Sequence, residues 1–257
     1  MNWSSHVAPM LFTIALWWGS TAVIARLIGR EPGTYPLLLA VATVLGLGGL
    51  ALSVGLRDVT TMTSAFAALA AALAIWGWIE VTFLTGKVTG PDPGPSLRED
   101  GLLRRARSAI TAILWHELLI IGTVAVVAIV LARRDNDLVL LVLLLLWLMR
   151  SSAKLNLFLG VRNRGEGFLP PHLQHLLGFM RHRRMNPLMP LSIAIGALIA
   201  WRCGSAALAA ASMHDAAAYS ILATLALLAV VEHLLMVLPM PAESLWRWSL
   251  ANRRAAP

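Results

Sequence analysis

The sequence predicts an all-α polytopic membrane protein. It reads as a bundle of about seven transmembrane helices forming a single domain over residues 1–257, with the N-terminus outside, the C-terminus cytoplasmic and one short interfacial amphipathic helix. Three observations carry this expectation. Hydrophobic residues make up 58% of the 257 and charged residues 13%, about half of the roughly 25% usual in a soluble domain, and the mean hydropathy is +0.73. Seven apolar stretches each approach about 20 residues, enough to cross a hydrocarbon core of about 30 Å at about 1.5 Å per residue. The basic residues gather in the loops on one side of those stretches.

The predicted spans are 7–25, 36–56, 62–86, 108–132, 137–158, 188–208 and 215–238. The first has no basic stretch before it and no small-residue cleavage pattern after it, so it reads as a true span and not a secretory signal. The ten-residue alternating segments of an outer-membrane barrel are missing. With seven spans, the N-terminal side holds Arg57, Arg133, Arg134 and Arg202, and the opposite side holds the other 17 of the 21 Lys and Arg residues. The positive-inside rule then puts the 17 in the cytoplasm. The net charge of +8 would point to nucleic acid in a soluble protein. Here the basic groups lie between apolar runs, as topology signals facing anionic lipid, and no nucleic acid is expected as a partner. A single cysteine, Cys203, excludes an internal disulfide and any multi-cysteine metal site.

Both long loops fall on the basic side. The first, 87–107, is rich in Gly and Pro, and Ser96 followed by Glu99 resembles a weak capping box leading into the fourth span. In the second, 159–187, Leu173, Leu176, Leu177 and Met180 recur at three- and four-residue spacing opposite His172, Gln174 and Arg181. That pattern predicts a short amphipathic helix in the headgroup plane, ending before Asn186-Pro187. The last two spans are rich in small residues, which allow close helix approach.

Ionisable groups within a span cost about 2.5–3.5 kcal/mol each on insertion scales, so each asks for a partner or a task. Glu80, Glu117 and Glu232 are such groups, together with His116, His233, Arg150, Lys154 and the polar Asn156. Counted from the span ends, all fall in the cytoplasmic part of their helices, Glu80 at about 9 Å and His116 and Glu117 at about 12–14 Å. One polar layer is therefore expected. It reads in three ways: an ion-pair network, with Arg150 and Lys154 as partners for the carboxylates (Glu80 with Lys154 being one such pair); a pigment site; or a metal site. The pigment reading uses Glu80, His116, Glu117, Lys154, Asn156 and His233, flanked by Trp76 and Trp78, with a neutral imidazole as axial ligand of a bacteriochlorophyll-type magnesium. The divalent-metal reading uses Glu80, His116, Glu117, Glu232 and His233. The adjacent pairs His116-Glu117 and Glu232-His233 are not the Glu-x-x-His of di-iron bundles. Trp3, Trp17, Trp18, Trp147, Trp246 and Trp248 read as interfacial belts. His172, His175 and His182 read as water-facing groups, and no phosphate-loop, dinucleotide, zinc-protease or nucleophile-elbow motif occurs.

Five blocks, WGWIEVTFLTGKVTGP (76–91), WHEL (115–118), LWLMRSSAKLNLFLGVRNRGEGFLPPHL (146–173), MNPLMP (185–190) and EHLLMVLPMPAESLWRW (232–248), resemble the photosynthetic complex assembly protein family of the PuhE type. The likeness spans nearly the whole chain and is strongest in SAKLNLFLGVRN. It implies a multi-pass protein of the inner or intracytoplasmic membrane of a phototrophic bacterium. Such a protein would act in assembly of the reaction centre with its core antenna, or in regulating bacteriochlorophyll supply. Implied partners are lipid and reaction-centre, antenna or pigment-synthesis proteins. The resemblance assigns no role to any residue. A membrane enzyme acting on a bacteriochlorophyll or carotenoid is the alternative. A transporter is disfavoured, because no inverted repeat or broken helix pair is evident.

Overall fold

A computed structural model of the chain describes residues 2–91 and 101–240. Eight α-helices carry the fold: α1 (Ala8–Ile28), α2 (Tyr35–Leu56), α3 (Met62–Leu84), α4 (Leu102–Ala112), α5 (Leu114–Val130), α6 (Leu138–Leu159), α7 (Leu188–Ala209) and α8 (Met213–Val237). A π-helical turn over Trp3–Val7 leads straight into α1, started by Asn2, whose side chain accepts the Ser4 N–H. The described residues contain no strand, only an isolated bridge between Val161 and His182. Six helices are long and apolar enough to cross a membrane, and α4 with α5 makes a seventh crossing if the bent pair counts as one. Ser96, Glu99, Trp246 and Trp248 lie outside the described residues.

Six expected spans match their helices to within a few residues at each end. The fourth differs. Instead of one helix over 108–132, α4 and α5 meet at a 62° bend. Proline does not cause it, because 111–115 contains none. The bend opens the helical ladder at Ile113, and the neighbouring segment fills the gap, since the Thr89 carbonyl accepts the His116 N–H at 3.0 Å. The fit is so close that a Cβ at Gly90 would stand 2.0 Å from the Thr111 carbonyl oxygen, and only glycine can pass there. α5 is left with 17 residues.

The second long loop differs too. Residues Pro171–Phe179 form a 3₁₀ helix, and its buried residues are Leu173, Leu176 and Phe179. In a 3₁₀ helix residues three apart eclipse one another, so Phe179 takes the inward position that α-helical spacing would give to Leu177 and Met180. This face packs on Phe83 and Ala112 as a small second core. The segment is thus seated on the protein, and the amphipathic helix with an open apolar face is α4. There Leu102, Leu103 and Ile110 are 57%, 85% and 58% exposed. Its roll is fixed by Arg105, whose guanidinium donates to the Phe158 carbonyl at 2.7 Å and lies over the Phe158 ring.

Loop contacts sort the helix ends into two sets. At one end Asn136 donates to the carbonyls of Arg57 and Val59, His214 contacts the Thr61 carbonyl, and His6 contacts the Ala207 carbonyl. At the other, Tyr35 donates to the Ile28 carbonyl, His172 meets the Leu84 carbonyl, and the Arg162 and Asn163 N–H groups donate to Met236. The first residues and the end of α8 therefore lie at opposite ends, as an odd number of crossings requires. Arg57, Arg133, Arg134 and Arg202 fall at the N-terminal end. α2 lies close on α3, where a Cβ at Gly49 would be 2.7 Å from the Ala71 carbonyl oxygen. α7 lies along α8. The largest core cluster runs through α3, α5, α6 and α8.

Candidate functional site

α6 organises the polar layer. Its first half, LVLLVLLLLWL, is apolar throughout, and its second half carries Arg150, Ser152, Lys154 and Asn156. At about 100° per residue, Arg150 and Lys154 share one side of the helix, and Ser152 and Asn156 share roughly the opposite side. Each reaches a different neighbour. Arg150 Nη2 donates to Glu80 Oε2 on α3 at 2.9 Å. Lys154 Nζ pairs with Glu117 Oε1 on α5. Ser152 Oγ lies 3.0 Å from His233 Nε2 on α8. Because His233 Nδ1 lies 2.8 Å from the Ala229 carbonyl, it is the protonated nitrogen and donates there, leaving Nε2 to accept the Ser152 hydroxyl. Asn156 Nδ2 donates to Ser192 Oγ on α7 at 2.8 Å. Asn186 Nδ2 then donates to the Asn156 and Gly160 carbonyls, and Asn186 Oδ1 accepts the Leu188 N–H that opens α7.

Beside this spine lies a partly open cavity of about 450 Å³, walled by α1, α3, α6 and α8 and closed at the basic end by the 163–169 loop and the 3₁₀ helix. Its walls are mostly apolar, with Trp17, Trp76, Phe83 and Phe158 among them, and Glu80, Arg150, Lys154 and Glu232 bring charge to it. A volume of a few hundred Å³ with few polar groups among apolar walls is typical of a small-molecule site.

The structure separates the expected site residues. Glu80, Lys154, Trp76 and Glu232 line the cavity; His116, Glu117, Asn156, His233 and Trp78 do not. The cause is helical geometry. Neighbours in sequence point about 100° apart and next-neighbours about 200° apart, so adjacency along the chain does not become convergence. Glu117 turns to Lys154, while His116 stacks near Phe83 with ring centroids 4.4 Å apart. Glu232 faces the cavity, while His233 faces Ser152. Trp76 faces the cavity, while Trp78 packs where a Cβ at Gly46 would be 2.8 Å from its own Cβ. None of the seven His lines the cavity, so its wall offers no imidazole to a pigment magnesium. Nor do Glu80, His116, Glu117, Glu232 and His233 meet as a metal set: among the described residues no three His, Cys, Asp or Glu could hold an ion together. The pairing expected between Glu80 and Lys154 is replaced by Glu80 with Arg150 and Glu117 with Lys154.

Seven buried side-chain atoms make no hydrogen bond among the described residues: both ring nitrogens of His116, Glu80 Oε1, Asn156 Oδ1, Trp147 Nε1, Arg105 Nε and Arg164 Nε. Sequence reasoning missed Ser152 and Ser192. The available signal was the polar step of two along 150–156, which predicts contacts on two sides of α6. Asn163, whose Nδ2 donates to the carbonyls of Leu235, Leu238 and Met240, closes the end of α8.

These features define a polytopic all-α membrane protein with a charged cavity at its basic end. The chain belongs to the family described as "Protein of unknown function (DUF3623)", which it matches over residues 3–256. A protein of Rhodobacter capsulatus described as "Uncharacterized 30.4 kDa protein in puhA 5'region" is 34% identical over 255 residues, covering 94% of this chain and 90% of its own. That description agrees with the family the sequence blocks resemble. No solved structure matches.

Proposed function

We propose that the chain is an integral membrane factor for assembly of the photosynthetic reaction centre and core antenna, handling or regulating bacteriochlorophyll on the cytoplasmic side of a bacterial inner or intracytoplasmic membrane. The observation that carries this reading is the likeness to a protein of the puhA 5′ region over 94% of the chain, joined to the blocks that resemble an assembly family. The cavity supports it, because an assembly factor that holds a pigment or a subunit segment needs apolar space within the membrane. The enzymatic alternative drew its support from a His/Glu metal set, and those residues are dispersed.

The test is deletion of the gene in a phototrophic host. Mature reaction-centre and core antenna complexes should fall, or pigment content should change, while growth without phototrophy stays normal. Unchanged complexes together with unchanged pigment would overturn the proposal.

A further inference from the structure

The charges around the cavity do not balance. Arg150 is held by Glu80, Lys154 by Glu117, and Arg164, also in the wall, by Glu166. Each cation thus has a carboxylate in direct contact, although Arg164 Nε keeps no partner and the Arg150 charge is also felt by Glu232. Glu232 faces the same space from α8 and makes no hydrogen bond or ion pair among the described residues. It sits five residues before the end of α8, about 7–8 Å along the helix. The surrounding wall is mostly apolar, with Leu225, Ala229 and Leu235 on its own helix and Trp76 and Met149 across from it, and Arg150 and Glu80 lie within electrostatic reach. Glu232 is an exposed residue, so its carboxylate is open to a donor from outside the chain. The protein supplies none here, and the cavity leaves room for one.

The sign of the unmatched group decides the ligand chemistry. An anionic head would meet cations that are already paired, and it would be repelled by Glu232. A donor head would complete the pairing, and the aromatic and aliphatic wall would take an apolar body. We propose that the cavity binds an amphiphile with an apolar body and a hydrogen-bond-donating head, ammonium or hydroxyl, with Glu232 as its acceptor. The donor comes either from an aminophospholipid of the bilayer or from a separate amphiphile. The inference stands independently of the assembly reading, which the deletion strain tests.

The experiment uses full-length protein in phosphatidylcholine nanodiscs and three brominated 18-carbon probes: a 9,10-dibromo amine, the matching alcohol and the matching carboxylic acid. Bromine quenches tryptophan at contact range, and Trp17 and Trp76 are in the wall. Quenching lost on Trp17→Phe with Trp76→Phe isolates the cavity signal from the interfacial tryptophans. Saturable cavity quenching should be strongest for the amine, weaker for the alcohol, and at least tenfold weaker for the acid than for the amine. Glu232→Gln should collapse the gap between amine and acid to under threefold. Ala229→Phe, which fills the wall and leaves Glu232 in place, should abolish the saturable signal from all three. If Glu232→Gln fails to accumulate, the ranking of the three probes and the effect of Ala229→Phe decide the matter. Replacing the host lipid by phosphatidylethanolamine identifies the source: competition against the amine points to the lipid head, and unchanged binding points to a separate amphiphile. Equal binding of acid and amine, a gap that survives Glu232→Gln, or no saturable quenching of Trp17 and Trp76 overturns the proposal.

Discussion

The N-terminal and C-terminal halves of α3 and α8 solve the same problem in opposite ways. In the N-terminal halves Ala65, Ala68, Leu69 and Ala72 face Ala217, Ile221 and their neighbours, nearly all fully buried in one cluster. Small side chains bring the two helices close, and contact between well-matched surfaces holds them where lipid offers no hydrophobic drive. In the C-terminal halves the facing residues are Trp76, Glu80, Phe83, Glu232 and Leu235, and the space between them is the cavity. Those helices are held by ion pairs and hydrogen bonds routed through α6. One half gains stability by leaving no room. The other keeps room and satisfies most of its polar groups around it. The lesson is that a span's polar residues need not converge to be useful: here they brace the wall of a space, and only some of them face it.

The largest effect expected is all-or-none and concerns which half faces the cytoplasm. A reporter fused after residue 257 should be active in the cytoplasm, and one inserted in the 133–137 loop should be active outside. The reverse pattern would place the cavity at the other membrane face. Next in size is the Arg150–Glu80 pair. Arg150→Met leaves Glu80 without its cation and should cost about 3 kcal/mol, read as loss of protein from the membrane fraction. Adding Glu80→Gln should restore most of it, whereas adding Lys154→Met to Glu80→Gln should not compensate, since Lys154 serves Glu117. A rescue by Lys154→Met would break the pairing described here.

The small-residue half responds to bulk instead of charge. Ala72→Leu should cost about 1–3 kcal/mol by overpacking, measured as a lower melting temperature in detergent. The same probes should still reach the cavity at the other end. If Ala72→Leu leaves stability unchanged, the two halves do not differ in tightness as argued. The smallest effect belongs to Ser152→Ala, which removes the hydroxyl from buried His233 and should cost about 1 kcal/mol. Ser151→Ala, one position along, makes no comparable contact among the described residues and serves as the reference.

Much of this architecture was legible in the sequence, because lipid imposes a simple rule on backbone polarity and span length. The apolar runs match six helices to within three residues at each end, and the basic loops sorted the ends. The break at Ile113 was not legible. Its cause is a segment distant in sequence, Thr89-Gly90, and nothing in the local composition of 108–116 announces it. The 3₁₀ register of 171–179 was hidden for a related reason, because Leu173 and Leu176 fit either period and only Phe179 against Leu177 decides. For the site, the sequence identified the depth at which polar residues gather but not their azimuth. The pairs His116-Glu117, Glu232-His233 and Trp76-Trp78 each split between two faces. That split follows from 100° per residue, yet which member faces which neighbour depends on how α5, α8 and α3 sit around α6.

The bend between α4 and α5 also bears on the surrounding bilayer. With 17 residues, α5 is about 25 Å long, against a hydrocarbon core of about 30 Å. Such a mismatch is met by thinning the lipid beside the short helix, at a fraction of a kcal/mol per Å. If α5 alone makes the crossing, the leaflet beside it would dip toward the cavity end, and α4, with Leu103 and Ile110 exposed, would lie along the edge of that dip. Other short spans would share such a thinned annulus at lower cost than the bulk membrane.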